Sequence, residues 1–242
     1  MQTETGTLVF HKPLDDDAGH YQCFAENDFG TATSIVFNVV KAFFDNFESP
    51  QTKSIEVVEG SSLQLACDRP DGYPKPFIYW AIQYRTGEVQ HIENPRLTLT
   101  PEGSLWFENV TFSDASDEIY YVCAARSLYF DETKLGDRFS LKISPGSESL
   151  SIPERPNLLY VSPDKEIVQG ERFELFCIYS GKRLHQMSWT KDNTSIKFDD
   201  RIKIENSGKS LVILNTTEKD SGSYSCEMLN GEPQISTIEL KV

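Results

Sequence analysis

Two ordered series limit the folds open to this chain: Cys67, Trp80, Cys123, and then Cys177, Trp189, Cys226. Each series runs through short apolar segments separated by Gly, Pro, Asn and Asp, the pattern of strands joined by turns. In SSLQLAC (Ser61 to Cys67), Leu63, Leu65 and Cys67 recur at the strand period of two and so share one face. RFELFCIYS (Arg172 to Ser180) holds the matching place in the second series. None of the five cysteines forms a C-x-x-C pair, which leaves little support for a zinc site or a dithiol redox centre.

A second pattern overlies the first. DAGHYQC, DEIYYVC and DSGSYSC place Tyr21, Tyr121 and Tyr224 two residues before Cys23, Cys123 and Cys226. Upstream of each lies a similar strand: GTLVF, GSLWF and KSLVI. The distance from Leu8 to Cys23 equals that from Leu211 to Cys226, and that from Leu105 to Cys123 is three residues longer. Three copies of one fragment make an array of repeats.

The Cys…Trp…Tyr-x-Cys set resembles the immunoglobulin domain. The resemblance implies an all-β chain of tandem immunoglobulin-like sandwiches of the I-set type, the first incomplete. It implies disulfides Cys67–Cys123 and Cys177–Cys226, with Trp80 and Trp189 packed against them and tyrosine corners at Tyr21, Tyr121 and Tyr224. Residues 1–41 read as strands E to G of a domain whose other strands lie outside this sequence, as expected of a fragment of a longer protein. Cys23 is then unpaired, since about 40 residues of half-sandwich enclose no core alone. Complete domains are expected at 49–144 and 157–242, joined by a polar, proline-punctuated linker at 145–156 that permits a change of direction. Arg96 with Asp117, and Arg201 with Asp220, are expected to pair at the sandwich bases, and Asn230-Gly231 suits a tight hairpin. Phe43, Phe44 and Phe47 suit either an interdomain contact or burial under the second domain's own first strand.

A disulfide closing a loop of about 50 residues contributes on the order of 4 kcal/mol. Whole domains are stable by only ~5–15 kcal/mol. The chain therefore belongs in an oxidising compartment. Sequons at Asn109, Asn193 and Asn215 agree, and Asn109 and Asn215 are expected at solvent-facing turns just after strand E. The net charge of −14 argues against nucleic acid and anionic membranes as partners. No apolar run is long enough to span a bilayer, and Met1 to Gly6 shows no signal peptide. GKS at 208–210 lacks the upstream glycine of a phosphate loop, and Asp15 to Asp17 lack the spaced ligands of a calcium loop. With four scattered histidines and no nucleophile motif, no catalytic, cofactor or metal site is expected. Alternation turns Trp106 outward, either as a binding anchor or covered by neighbouring strands or a glycan on Asn109.

GHYQCFAEN, PDGYPKPFIYWAIQ, LTPEGSLWFENVTFSDAS, ELFCIYSG and GKSLVILNTT carry a closer resemblance, to the neuroglian and neurofascin family of neural cell-adhesion receptors. It covers essentially the whole chain, as the end of domain one plus domains two and three. It implies a membrane protein with an extracellular glycoprotein array that contacts other cell-surface proteins, including the same molecule on another cell, in axon guidance. It implies no nucleic-acid partner, and attachment to the membrane only through a segment outside this sequence. It also implies a horseshoe in which domain two folds back against domain three, with the reversal at 145–156. SGKRLHQMSW departs from the family, with Arg183 and His185 where prolines are usual. The alternative is the hemolin type, a secreted insect immune protein. Peptide mapping without reduction should recover the pairs Cys67–Cys123 and Cys177–Cys226, and a maleimide reagent should label Cys23 alone.

Overall fold

The computed structural model describes residues 6–146, 156–181, 187–229 and 235–242. Near the N-terminus, Gly19–Tyr21 (β1), Phe24–Asn27 (β2), Gly30–Thr33 (β3) and Phe37–Val39 (β4) form two antiparallel ladders, β1 with β4 and β2 with β3. Asn27 Oδ1 accepts from the amides of Phe29 (2.9 Å) and Gly30 (3.1 Å), which closes the two-residue hairpin loop. The last stretch of this segment, from β3 to β4, is broken at Ser34, whose hydroxyl accepts the Cys23 amide at 2.9 Å. GTLVF makes only a single bridge, at Leu8. Phe24, Ile35 and Phe37 stay exposed, as does the thiol of Cys23.

Phe43–Phe44 (β5) belongs to the second sandwich, pairing with Gly72–Tyr73 (β8). The other strands there are Thr52–Val58 (β6), Leu63–Leu65 (β7), Phe77–Tyr84 (β9), Val89–His91 (β10), Leu97–Leu99 (β11), Leu105–Phe107 (β12), Ile119–Ser127 (β13) and Glu132–Ser144 (β14). One sheet runs β10-β9-β13-β14-β6, and the facing sheet β11-β12-β7. Phe44 and Phe47 pack on the core between them, and Phe47 lies over Gly136. Of the two readings of these phenylalanines, burial within their own sandwich describes both, whereas Phe43 remains exposed.

The third sandwich repeats the plan. Leu158–Val161 (β15), Phe173–Tyr179 (β17), Ile202–Glu205 (β20) and Ser210–Ile213 (β21) form a sheet ordered β15-β17-β21-β20. Lys165–Glu166 (β16), Met187–Lys191 (β18), Thr194–Ser195 (β19), Gly222–Met228 (β22) and Ile235–Lys241 (β23) form the other, ordered β16-β23-β22-β18-β19. Arg183, His185, the Asn230-Gly231 turn and all of the linker except 145, 146 and 156 lie outside the described residues.

Each complete sandwich is pinned at three levels. Disulfides join Cys67 to Cys123 and Cys177 to Cys226, with Cα separations of 5.9 and 6.5 Å. Trp80 and Trp189, each 3% exposed, donate their indole N–H to the carbonyls of Gly103 and Gly208, both at 2.9 Å. Those glycines have φ of +100° and +96°, which a side chain would strain. The tyrosine corners close the base: the hydroxyls of Tyr121 and Tyr224 donate to the carbonyls of Asp114 (3.0 Å) and Asp220 (2.7 Å), and Tyr21 makes the same bond to Asp17 (2.7 Å) in the N-terminal segment. Burial raises the Tyr121 and Tyr224 hydroxyls well above the ordinary tyrosine value.

Asp114, and not Asp117, is the partner of Arg96. The guanidinium grips it through two bonds of 2.9 and 2.6 Å, just as Arg201 grips Asp220 at 2.7 and 2.9 Å. The three extra residues of the second copy lie after this aspartate, so counting back from Cys123 lands on exposed Asp117. Counting forward from Leu105 reaches Asp114, which also accepts the Thr111 amide at 2.7 Å. Burial pushes the Asp220 carboxyl up, but donors from Arg201 and Thr217 outweigh it and leave the group below its ordinary value. Its contribution is therefore complete above pH ~4 and is lost as pH falls towards the depressed folded value. Asp114→Ala should cost about 3 kcal/mol in guanidinium denaturation, because it strands Arg96. Asp117→Ala should stay within about 0.5 kcal/mol.

Candidate functional site

Strand alternation sorts the side chains of β12 and β21 into two faces. Leu105 and Phe107 enter the second core, while Trp106 points the other way. In β17 and β21 the inward set is Phe173, Leu175, Cys177, Tyr179, Leu211 and Ile213. The outward set should then be wet. Instead Phe176, Ile178, Ser210 and Val212 are 4%, 0%, 0% and 1% exposed. The outer face of this sheet is covered, and the β11–β12 face of the second sandwich lies against it.

Lys209 is the central link. It follows Gly208 at the entry to β21, is 6% exposed, and donates from Nζ to Thr98 Oγ1 at 2.8 Å. The same ammonium donates to the Pro95 carbonyl and to the Glu108 carboxylate. Glu108 is itself 3% exposed, so both charges are out of water and compensate each other. Burial pushes the Glu108 carboxyl above its ordinary value, and Lys209 and Arg96 offset part of that rise. Around this pair, the Gly181 amide donates to the Glu108 carbonyl at 3.3 Å, and Asn109 Nδ2 donates to the Gly181 carbonyl. Farther along, the Tyr160 hydroxyl donates to Glu102 Oε1 at 2.7 Å; burial raises this phenol, and the bond to Glu102 adds to the rise. Beside the contact lies a groove of about 590 Å³ with Ile78, Leu99 and Phe176 in its walls and Lys75, Lys165 and Arg172 among its lining.

Several expected site residues meet here. Trp106 pairs across the ladder with Thr98 and sits two residues from Glu108, on the face that meets the third sandwich. It is partly buried, and its indole nitrogen is enclosed with no hydrogen-bond partner among the described residues. Asn109 corrects the expectation of a solvent-facing turn: it is 4% exposed and held between Arg96 and Gly181. Asn193 and Asn215 do lie exposed in turns, at φ of +60° and +49°. Glu108, Lys209, Gly181 and Tyr160 were not anticipated. One signal for the contact was present, because ELFCIY is apolar on both faces of its strand, the mark of a sheet covered twice. Among the described residues no group of three or more His, Cys, Asp or Glu could hold a metal, and no helix is long and apolar enough to cross a membrane.

Residues 156–242 match the immunoglobulin I-set domain. Neuroglian of Drosophila melanogaster is 45% identical over 233 residues, which are 95% of this chain and 18% of that protein. Hemolin of Manduca sexta is 35% identical over 252 residues, 100% of this chain and 60% of hemolin. Neurofascin of Gallus gallus is 32% identical over 266 residues, 100% of this chain and 19% of that protein.

The chain is a neuroglian-like immunoglobulin-domain protein.

The crystal structure of hemolin, described as a new domain arrangement with implications for homophilic adhesion, superposes on 98% of the neuroglian-like chain and 62% of its own, with a TM-score of 0.81 at 30% identity. Sidekick-1 immunoglobulin domains 1–4 superpose at a TM-score of 0.72 and 21% identity, a likeness of fold.

Removing one partner of a buried ion pair costs about 3–5 kcal/mol, whereas replacing both by apolar groups is often neutral. Lys209→Met in the neuroglian-like chain should therefore loosen the two sandwiches, read as a larger radius of gyration in solution scattering. Adding Glu108→Leu should restore the compact value.

Proposed function

We propose that the chain is part of the extracellular region of a cell-adhesion receptor of the neuroglian kind. It would bind other cell-surface proteins, including the same molecule on a facing cell, and catalyse nothing. Residues 49–144 and 157–242 are its two complete domains, 145–156 the linker between them, and 1–41 a portion of the preceding domain. The likeness of the chain to neuroglian and neurofascin supports this reading.

The observation that carries it is the buried Lys209–Glu108 contact, which turns the third sandwich back along the second. Such a fold-back would let domains on either side of this pair meet each other, so that one compact unit faces the opposite cell. The exposed sequons at Asn193 and Asn215 and the two disulfides suit an extracellular site.

A second reading, a secreted immune protein of the hemolin kind, is favoured by the superposition on hemolin. The two separate on where the complete protein resides, in the plasma membrane or in the medium. Beads coated with the complete extracellular region should cluster, and beads coated with these 242 residues alone should stay dispersed. Beads bearing the complete region that fail to cluster, with themselves or with cells, would count against adhesion.

A further inference from the structure

Asn109 carries a sequon, Asn109-Val110-Thr111, yet its side-chain amide lies inside the contact between the two sandwiches. Its Oδ1 accepts from Arg96 Nη1 at 3.3 Å, its own backbone carbonyl accepts from the same nitrogen at 2.7 Å, and Nδ2 donates to the Gly181 carbonyl. Arg96 belongs to the same sandwich and so orients the amide whether or not the third sandwich is present. Gly181 belongs to the other, and it also donates to the Glu108 carbonyl. The atom that would bear a glycan is therefore the atom that the third sandwich covers.

We propose that Asn109 is a glycan-controlled switch of the fold-back: a chain with sugar on Asn109 cannot close its third sandwich on its second, and a chain without it closes. The donor is an oligosaccharide linked to a lipid diphosphate. Asn109 Nδ2 forms a bond to the anomeric carbon of the first N-acetylglucosamine as the bond from that carbon to the diphosphate oxygen breaks. The amide loses one proton, and the lipid diphosphate departs with the electron pair. One N–H remains on Nδ2, but the sugar must occupy the space of Gly181 and its neighbours.

Chain order makes the competition unequal. Gly181 lies 72 residues after Asn109, a delay on the order of several seconds at about 5–20 residues per second of synthesis. During that interval Asn109 is uncovered, and only afterwards can the third sandwich fold over it. Asn193 and Asn215, which stay exposed in the closed arrangement, have no such conflict.

The inference rests on the extracellular reading above, and the two exposed sequons report on that reading separately. Secretory expression of the unaltered sequence, followed by glycopeptide mapping, shows whether any of the three sites carries sugar. In an Asn193→Gln/Asn215→Gln background, a mannose-binding lectin then divides the product by its state at Asn109. After trimming to a single N-acetylglucosamine, the lectin-retained fraction should elute earlier in size exclusion and show a larger radius of gyration than the flow-through. Thr111→Val, which removes the sequon and leaves the Asn109 amide in place, should give the compact form alone. Sugar on Asn193 and Asn215 but none on Asn109, or a sugar-bearing Asn109 form as compact as the flow-through, overturns the switch and leaves the extracellular reading standing. No sugar at any of the three sites overturns both.

Discussion

Two facing sheets of short strands enclose little apolar volume, so each sandwich depends on the disulfide that holds its sheets at a fixed separation. Cys123, Cys177 and Cys226 are fully buried and Cys67 packs against the core from its margin, and each bridge lies beside a tryptophan whose indole N–H is bonded to a glycine carbonyl. The bridge restricts the unfolded chain, and the indole fills the space around it. With the sheets held in this way, the loops and outer faces can take up other work. The ladders at the N-terminal end show the contrast, for there Cys23 is a free thiol and the surrounding apolar side chains stay exposed.

The second constraint acts between sandwiches. An apolar outer face would let two sheets slide or separate with little preference for one register. Lys209 and Glu108 impose a register, because a buried charge displaced from its partner loses its compensation. Thr98 and the Pro95 carbonyl complete the ammonium's coordination, and Gly181 adds backbone bonds beside it. The pair therefore acts through specificity at least as much as through net stability, since two apolar residues of similar size could fill the same space. Asn109 lies within this contact, its side-chain amide held between Arg96 of the second sandwich and Gly181 of the third.

Local features were legible in proportion to how short-range their causes are. The disulfides, tyrosine corners and indoles follow from spacing within one sandwich. The partner of Arg96 was legible only when counted from the correct end, because the three-residue insertion separates Asp114 from Tyr121 and does not lie before it. The outward direction of Trp106 follows from alternation, but whether the outward side meets water does not. The same ambiguity turned Asn109 to solvent in the sequence reading: a turn after strand E is exposed in an isolated domain and buried once another sheet is laid over it.

By itself the sequence determined three copies of one strand–turn–strand fragment, the residues that face each core, and the oxidising chemistry that the staples require. Those properties repeat at short intervals, through an alternation of two along strands and a fixed number of residues around each turn. Only the tertiary structure decided that the outer faces of the second and third sandwiches meet, and that Lys209 reaches Glu108 across 101 residues of chain. An apolar side chain covered by a neighbouring sheet and one buried in its own core are alike in a linear pattern. What separates them is the direction in which the whole sheet faces, and that direction exists only after both sandwiches have formed.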